Sequence, residues 1–530
     1  FRLVRKDRQK TWQAPVICDA ALMARTQILR DINGYDEKLK LYYTENDLCR
    51  RIQGLGLTTV HFAGARINHS VSASTQKQPW QTISAIYAQD AFHYFRKWHG
   101  ILSASLLFLA MKANNFLIDL AKDKWPFALI FLTAAILRLW GLPRLMPFIG
   151  DFGHDYLAAK DLLSTGKIPL VGIASSVPWL YQGSLWIYLA ALALFLGNFN
   201  PVAPAILTVI LSLITLWAII TVTYKFWGKI AAFASGLIFA TSPLGVLHAR
   251  TPWHTSPIPL VAIGYFYFLL KRSAFWSALF FSLLFQFELS NFPLIILLAR
   301  IRFNKFVLIG LLLPLLPKII YDFTHGFTQI GGFVLWLGYR IAAFFGYRDV
   351  HTVRPARLLT TSQIIFDYLQ KFFSWGTTLP TLIIIVFIIW TLFRTKKPIE
   401  LLITFWLLIT IISFYVHGAP SEAYFPVLFP VLSLAVGWGI GKLNHKLFRN
   451  LALISIVLLS VFNLIFLFQE QFLMSIAEAP HHHRFGTYGL PLSERLLLIN
   501  KSETWVNTGP GSEHASFLDN YRYLLWWTNR

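Results

Sequence analysis

From about residue 125 onward the chain is a succession of apolar runs separated by short polar stretches. They fall at roughly 126–142, 184–197, 203–223, 229–247, 256–270, 274–297, 306–322, 378–395, 399–416, 423–440 and 450–468. A helix needs about 20 residues to cross hydrocarbon, so the shorter runs have ends fixed only to within a few residues. Residues 15–73 follow another rhythm: a short strand, a helix over 26–33, a turn at Gly34, a helix over 45–54 and a strand at 57–62. Between the two regions, 101–119 is apolar but interrupted by Lys112 and Asp119. It reads as an interfacial helix on the cytoplasmic face, because a twelfth span would force the N-terminal part outside.

Basic residues orient the spans. Lys122 and Lys124 precede the first, and Arg300, Arg302 and Lys305, then Arg394, Lys396 and Lys397, then Lys442, Lys446 and Arg449 form later clusters. Eleven spans put all four groups in the cytoplasm. The same count leaves Lys225, Lys229, Lys271 and Arg272 on the opposite side. Segments 143–183, 323–377, 417–422 and the tail after about 469 are then extracytoplasmic. The domains follow: 1–98 α/β and cytoplasmic, 99–124 interfacial helix and linker, 125–468 membrane-spanning, and 469–530 an extracytoplasmic tail.

Composition agrees with this pattern. The 530 residues are 55% hydrophobic and 14% charged, with mean hydropathy +0.53, against about a quarter charged in soluble proteins. The charge of +22 flanks apolar runs, which points to topology and anionic lipid rather than nucleic acid. The lipid bilayer of the plasma or inner membrane is the expected surrounding. Cys18 and Cys49 imply no disulfide framework.

The first external segment opens "GDFGHDYLAAKDLLSTGKIP", 150–169. A carboxylate at the membrane boundary suits general-base work on a substrate that arrives in lipid. Asp151 and Asp155 are the candidates, with His154 between them. Each has a plainer reading, since acids favour a helix's first turn. Asp322 and His325 lie outside as candidates to line the site, and Glu422 joins them, with a helix-starting acid as its plainer reading. "HHHR", 481–484, is a weak metal motif, because three consecutive His rarely face one ion.

The order of these stretches resembles GT-C membrane glycosyltransferases, the family 39 protein O-mannosyltransferases and aminoarabinose transferases. The resemblance implies that Asp151 is the catalytic base, that His154 stands where the family has Arg, and that Phe152 replaces a second acid. "YQGSLWIYLAALALFLG", 181–197, resembles the approach to the family's second span; Tyr181 is retained, while Gln182 and Gly183 replace the Lys-Pro expected near a lipid phosphate. "ATSPLGVLHARTPWHTSPIPL" (240–260), "PKIIYDFTHGF" (317–327) and "HGAPSEAYFPVLFPVL" (417–432) complete it, adding His417 to the substrate-binding set.

"GYDEKLKLYYTENDLCRRI", 34–52, resembles the C-terminal half of a GT-A family 2, rhamnosyltransferase-like enzyme. The resemblance puts Glu45 at the base position, Asp47 at the next acid and His69 at a divalent-metal (Mg or Mn) ligand. The family's nucleotide-binding half with its Asp-x-Asp strand precedes such a motif; this sequence opens "FRLVRKDRQKTW", as in a piece of a longer fusion or a relic.

The fold expected is mainly α and polytopic, GT-C-like, behind a partial α/β GT-A-type domain. The function expected is transfer of a sugar, with inversion, from a polyprenyl-phosphate donor to an extracytoplasmic glycan, lipid or protein. Two alternatives stand beside it: a nucleotide-sugar-dependent family 2 enzyme anchored by the spans, and a glycolipid transporter, for which Glu288 is the best mid-membrane acid.

Overall fold

The computed structural model describes residues 10–18, 21–65, 78, 80–123, 125–175, 177, 179–347, 355–469, 491–499 and 516–530. His69 and the 481–484 histidines lie outside these residues, as does most of the expected tail. The chain divides into two units, Phe1–Ala128 and Leu129–Arg530.

In the first unit, Trp12–Gln13 and Val60–His61 pair antiparallel. Helices cover Thr26–Asp31, Thr44–Gly54 and Trp80–Asp123, the last broken at Gly100, where φ is 82°. The expected α/β half is thus mostly helical, with two-residue strands as its only sheet among the described residues. Its acids are engaged internally. Asp90 accepts the backbone N–H groups of Lys40, Leu41 and Tyr42 at 3.0, 2.8 and 2.8 Å. Asp36 meets Lys97 at 2.8 Å and His93 at 3.1 Å. Buried Asp47 meets Arg51 at 2.8 Å, Lys97 at 2.7 Å and Trp98 Nε1 at 2.8 Å. The acidic pattern of residues 36–47 therefore fastens to the helix carrying residues 90–98.

The second unit is a helical bundle. Among the described residues, five helices are long and apolar enough to cross a membrane: Ala203–Thr241, Lys305–Thr324, Pro398–His417, Glu422–Gly441 and Lys446–Leu467. A sixth is added if Arg357–Phe373 and Thr378–Leu392, bent at 99°, make one span. The eleven expected spans are corrected accordingly. Several apolar runs form helices of only 10–17 residues, among them Trp125–Leu139, Leu185–Leu196, Ile258–Leu270 and Ala274–Phe287.

Two of these shortfalls change the direction of the chain. Helix Leu185–Leu196, at about 1.5 Å per residue, is too short for a roughly 30 Å core. It begins beside Pro169, whose carbonyl accepts from Tyr188 at 2.5 Å. It ends where the carbonyls of Phe199 and Pro201 accept from Tyr523 at 2.7 Å and Tyr156 at 3.0 Å. Both its ends lie at the same end of the bundle. The 274–297 run, in turn, breaks at Glu288, an extended residue whose carboxylate caps the following 3-10 helix Leu289–Arg300 through Ser290 N–H. Helices Ala274–Phe287 and Lys305–Thr324 consequently run parallel, with Ser282 donating to Leu311 O at 2.7 Å and Gln286 to Pro314 O at 2.8 Å. The Leu289–Arg300 leg carries the chain back between them.

One end of the bundle, the loop end, gathers the polar segments. Tyr181 N–H donates to Gln329 Oε1 at 2.9 Å, Thr361 to Gly418 O at 2.8 Å, and Leu492 N–H to Met146 O at 3.0 Å. The opposite, basic end is marked by Gly228, whose φ of 86° lets Ala203–Thr241 double back as a hairpin. There Trp227 Nε1 lies 3.5 Å from Glu400, and Lys442 pairs with Glu400 at 2.7 Å and donates to Arg394 O at 2.7 Å. Lys225 and Lys229 therefore sit at the same end as Arg394, Lys396, Lys397 and Lys442. Helices Ile258–Leu270 and Ala274–Phe287 are antiparallel, with Phe268 stacked on Trp276, so Lys271 and Arg272 join that end too. The four residues that the eleven-span count misplaced need no exception.

Side-specific labelling checks this. In a variant with Cys18 and Cys49 replaced, Ser273→Cys and Thr395→Cys should react from the same side of the membrane, and Ser175→Cys from the other. Joint labelling of Ser273→Cys and Ser175→Cys would overturn the arrangement.

Candidate functional site

The stretch 150–165 forms the helix Gly150–Thr165, with Asp151 in its first turn and Gly166 as its stop. Phe152, Asp155, Tyr156 and Ala159 are buried at helical spacing and define its inner face. Asp151 and His154, one turn apart, are half-buried and meet the end of the chain. Ser516 Oγ donates to Asp151 Oδ1 at 2.9 Å, and His154 Nδ1 to Asp519 Oδ2 at 3.2 Å.

This approach depends on two glycines. A Cβ at Gly150 would run into Ser516 O, and one at Gly153 into the backbone of Asp519 and Asn520. Asn520 Nδ2 then donates to Phe148 O at 2.8 Å, and helix Asp519–Thr528 lies along Gly150–Thr165, with Tyr523 edge-on to Tyr156 at 5.1 Å.

Asp155 is only 1% exposed, and its Oδ2 has no hydrogen-bond partner among the described residues. Burial, reinforced by the charge of Asp151 and opposed by His154 and His254, pushes its carboxyl up to about 6. His254 is buried with its Nδ1 likewise unpartnered, and its Nε2 makes a long 3.4 Å contact with Glu288. Glu288 accepts from Gln182 Nε2 at 3.1 Å. Through His254 and Glu288 the loop helix thus connects to a second group of predicted residues.

That group centres on Tyr181–Gly183. Tyr181 O accepts from Lys318 Nζ at 2.6 Å, and Lys318 is 5% exposed. Asp322 is buried and accepts from the N–H groups of Gln329 at 2.7 Å and Ile330 at 2.8 Å, capping helix Thr328–Phe344. His325 is exposed and stacks on Tyr321 at 3.8 Å. His417 meets Tyr424 Oη at 3.2 Å, and Glu422 opens the short 3-10 helix Glu422–Leu428. Glu45 belongs to the first unit, where it accepts from Thr44 at 3.0 Å. Among the described residues no group of three or more His, Cys, Asp or Glu is arranged to hold a metal.

Beside these residues an apolar cavity of about 410 Å³ is lined by Phe292, Phe333, Trp336 and Ile412, with Arg340, His417 and Tyr424 among its polar members. Arg357 lies against Gly418, so closely that a Cβ there would meet its guanidinium. The sequence reading found His417 but neither arginine. Lys318 was missed as well, although "PLLPKII" places a lysine inside an apolar run, a signal in its own right.

The His154–Asp519 pair has a pH window. The hydrogen bond to Asp519 and the nearby charges of Asp155, Asp519 and Asp151 raise His154 against the opposing effect of burial. Burial raises Asp519, but its bonds with His154 and Arg522 outweigh this and lower it. The pair's stabilisation is therefore lost as pH rises through the raised His154 value, and again as pH falls through the lowered Asp519 value. Hydrogen exchange of residues 516–530, corrected for intrinsic rate, should show protection falling on the alkaline side. His154→Gln should flatten that fall; pH-independent protection in the parent would refute the pairing.

No family model and no curated protein sequence matches the chain. It is similar to solved structures at low identity. One is ArnT from Cupriavidus metallidurans bound to undecaprenyl phosphate, with 11% identity, a TM-score of 0.46 and 65% of each chain covered. Another is the archaeal oligosaccharyltransferase AglB from Archaeoglobus fulgidus in complex with an inhibitory peptide and a dolichol-phosphate. That likeness has 12% identity and a TM-score of 0.42, covering 76% of this chain and 60% of the other. The chain spans 65% of the ArnT length.

Proposed function

We propose that this chain is an integral membrane glycosyltransferase of the GT-C kind. It moves a sugar, with inversion, from a polyprenyl-phosphate donor to an extracytoplasmic acceptor. The observation that carries the reading is the apolar cavity at the loop end, bordered by Arg340 and His417 with Arg357 close by. An isoprenoid chain fits the apolar walls, and guanidinium groups suit a phosphate.

In the reaction, Asp151 takes the proton of the acceptor hydroxyl as its oxygen attacks the anomeric carbon. The bond from that carbon to the phosphate oxygen breaks, and the lipid phosphate leaves toward the arginines. The basic end faces the cytoplasm under the positive-inside rule, which puts Asp151 outside, where the donor needs no nucleotide.

Residues 1–98 stand in this proposal as a partial GT-A-type domain. Asp47 is already filled by Arg51, Lys97 and Trp98, so the described residues there do not fit a metal, and no step passes through one. A transporter reading rests on Glu288. That acid is tied to Gln182 and caps a helix, which suits a fixed element better than a moving one.

Membranes carrying the protein should release polyprenyl phosphate from at least one member of a panel of polyprenyl-phosphate sugars. Asp151→Asn should lower the rate about a hundredfold or more without loss of expression, and Arg340→Ala should raise the KM for the donor. An Asp151→Asn variant with the parent's turnover would remove Asp151 from the mechanism.

A further inference from the structure

Asp151 is held from 365 positions further along the chain, by the 2.9 Å hydrogen bond from Ser516 Oγ to its Oδ1. Its Oδ2 has no partner among the described residues. We infer that Ser516 is a positioning residue for Asp151, and that the C-terminal segment 516–530 is a built part of the reaction centre. The inference rests on the proposed role of Asp151 as base.

Several independent contacts fix the segment that carries Ser516. Gly150 and Gly153 let the two backbones touch. Asn520 holds Phe148 O at 2.8 Å, Asp519 holds His154 at 3.2 Å, and Tyr523 holds Phe199 O at 2.7 Å. Ser516 is thus placed by the contact of its own backbone with Gly150 and by the packing of the residues that follow it, not by its own hydroxyl.

The chemistry gives the bond a purpose. A carboxylate base uses one oxygen, and a freely turning carboxylate spends part of its time with neither oxygen on the substrate proton. A hydroxyl that holds Oδ1 leaves Oδ2 as the acceptor and fixes its direction, as the third group does in other base-orienting arrangements. When the proton of the acceptor hydroxyl moves to Oδ2, the oxygen–carbon bond forms and the carbon–phosphate oxygen bond breaks. Ser516 keeps its own proton throughout.

The test uses the full chain in membranes, with release of polyprenyl phosphate from a polyprenyl-phosphate sugar as readout. Ser516→Ala should lower kcat about tenfold, the size of one lost hydrogen bond to a charged group. The donor KM and the Tm should not change. Ser516→Thr, which keeps the hydroxyl, should restore most of the rate, and Ser516→Ala added to Asp151→Asn should cost nothing further. A parent-like kcat in Ser516→Ala, or a Thr variant as slow as Ala, would overturn the inference. An inactive Asp151→Asn beside a fully active Ser516→Ala defeats this inference alone; an active Asp151→Asn defeats the proposed reaction with it.

Discussion

Backbone and side-chain polar groups inside an apolar bundle must find partners within the protein, and at the loop end that requirement converges on Tyr181–Gly183. Tyr181 donates to Gln329 and accepts from Lys318. Gln182 uses its amide nitrogen on Glu288 and its amide oxygen on Leu289 N–H. Gly183 donates to Gln286 O, and a Cβ there would collide with the Gln286 side chain. Three residues thereby tie the segment between helices Gly150–Thr165 and Leu185–Leu196 to the Ala274–Phe287 helix, the 3-10 leg after it and the Lys305–Thr324 helix. Remove that tie, and the buried Glu288 loses one of its donors, with Ser290 N–H and the long His254 contact left to it.

The same tie explains the basic ends. Gln182 and Glu288 hold the helix break at the loop end, so the 3-10 leg must return to the basic end before Lys305. A horizontal Leu185–Leu196 and a broken 274–297 run change the direction of the chain by compensating amounts. The basic groups at 225–229, 271–272, 394–397 and 442 then share one end of the bundle. A count based on run length alone sees neither change, because a short apolar run and a broken one have the same hydropathy as a span.

Much was legible in the sequence. The apolar runs correspond closely to helices. The reading of 181–183 was weaker, because it looked for a lysine at 182. The residues present there serve hydrogen bonding and close packing, while the cation comes from Lys318 on another helix. Partners at such separations leave no periodic trace. Ser516 and Asp519 are short polar residues in an unremarkable tail, and nothing local marks them as neighbours of Asp151 and His154. In the first unit Asp47 was read as chemistry, yet it holds the fold together, as Asp36 and Asp90 do.

The two acids of the loop helix also separate by environment rather than by type. Asp151 faces outward, half-buried, and is gripped by one hydroxyl. Asp155, one turn on, joins Phe152 and Tyr156 on the buried face, where desolvation pushes it up to about 6. Unequal surroundings for two neighbouring carboxyls are how one site obtains distinct acid and base roles. On the proposed reaction Asp151 is the half-buried base, while Asp155 and His254 are buried, each with a polar atom that has no hydrogen-bond partner among the described residues. A proton taken up by Asp155 would remove a negative charge one helical turn from Asp151, on the side of the helix that substrate does not reach in the proposed reaction.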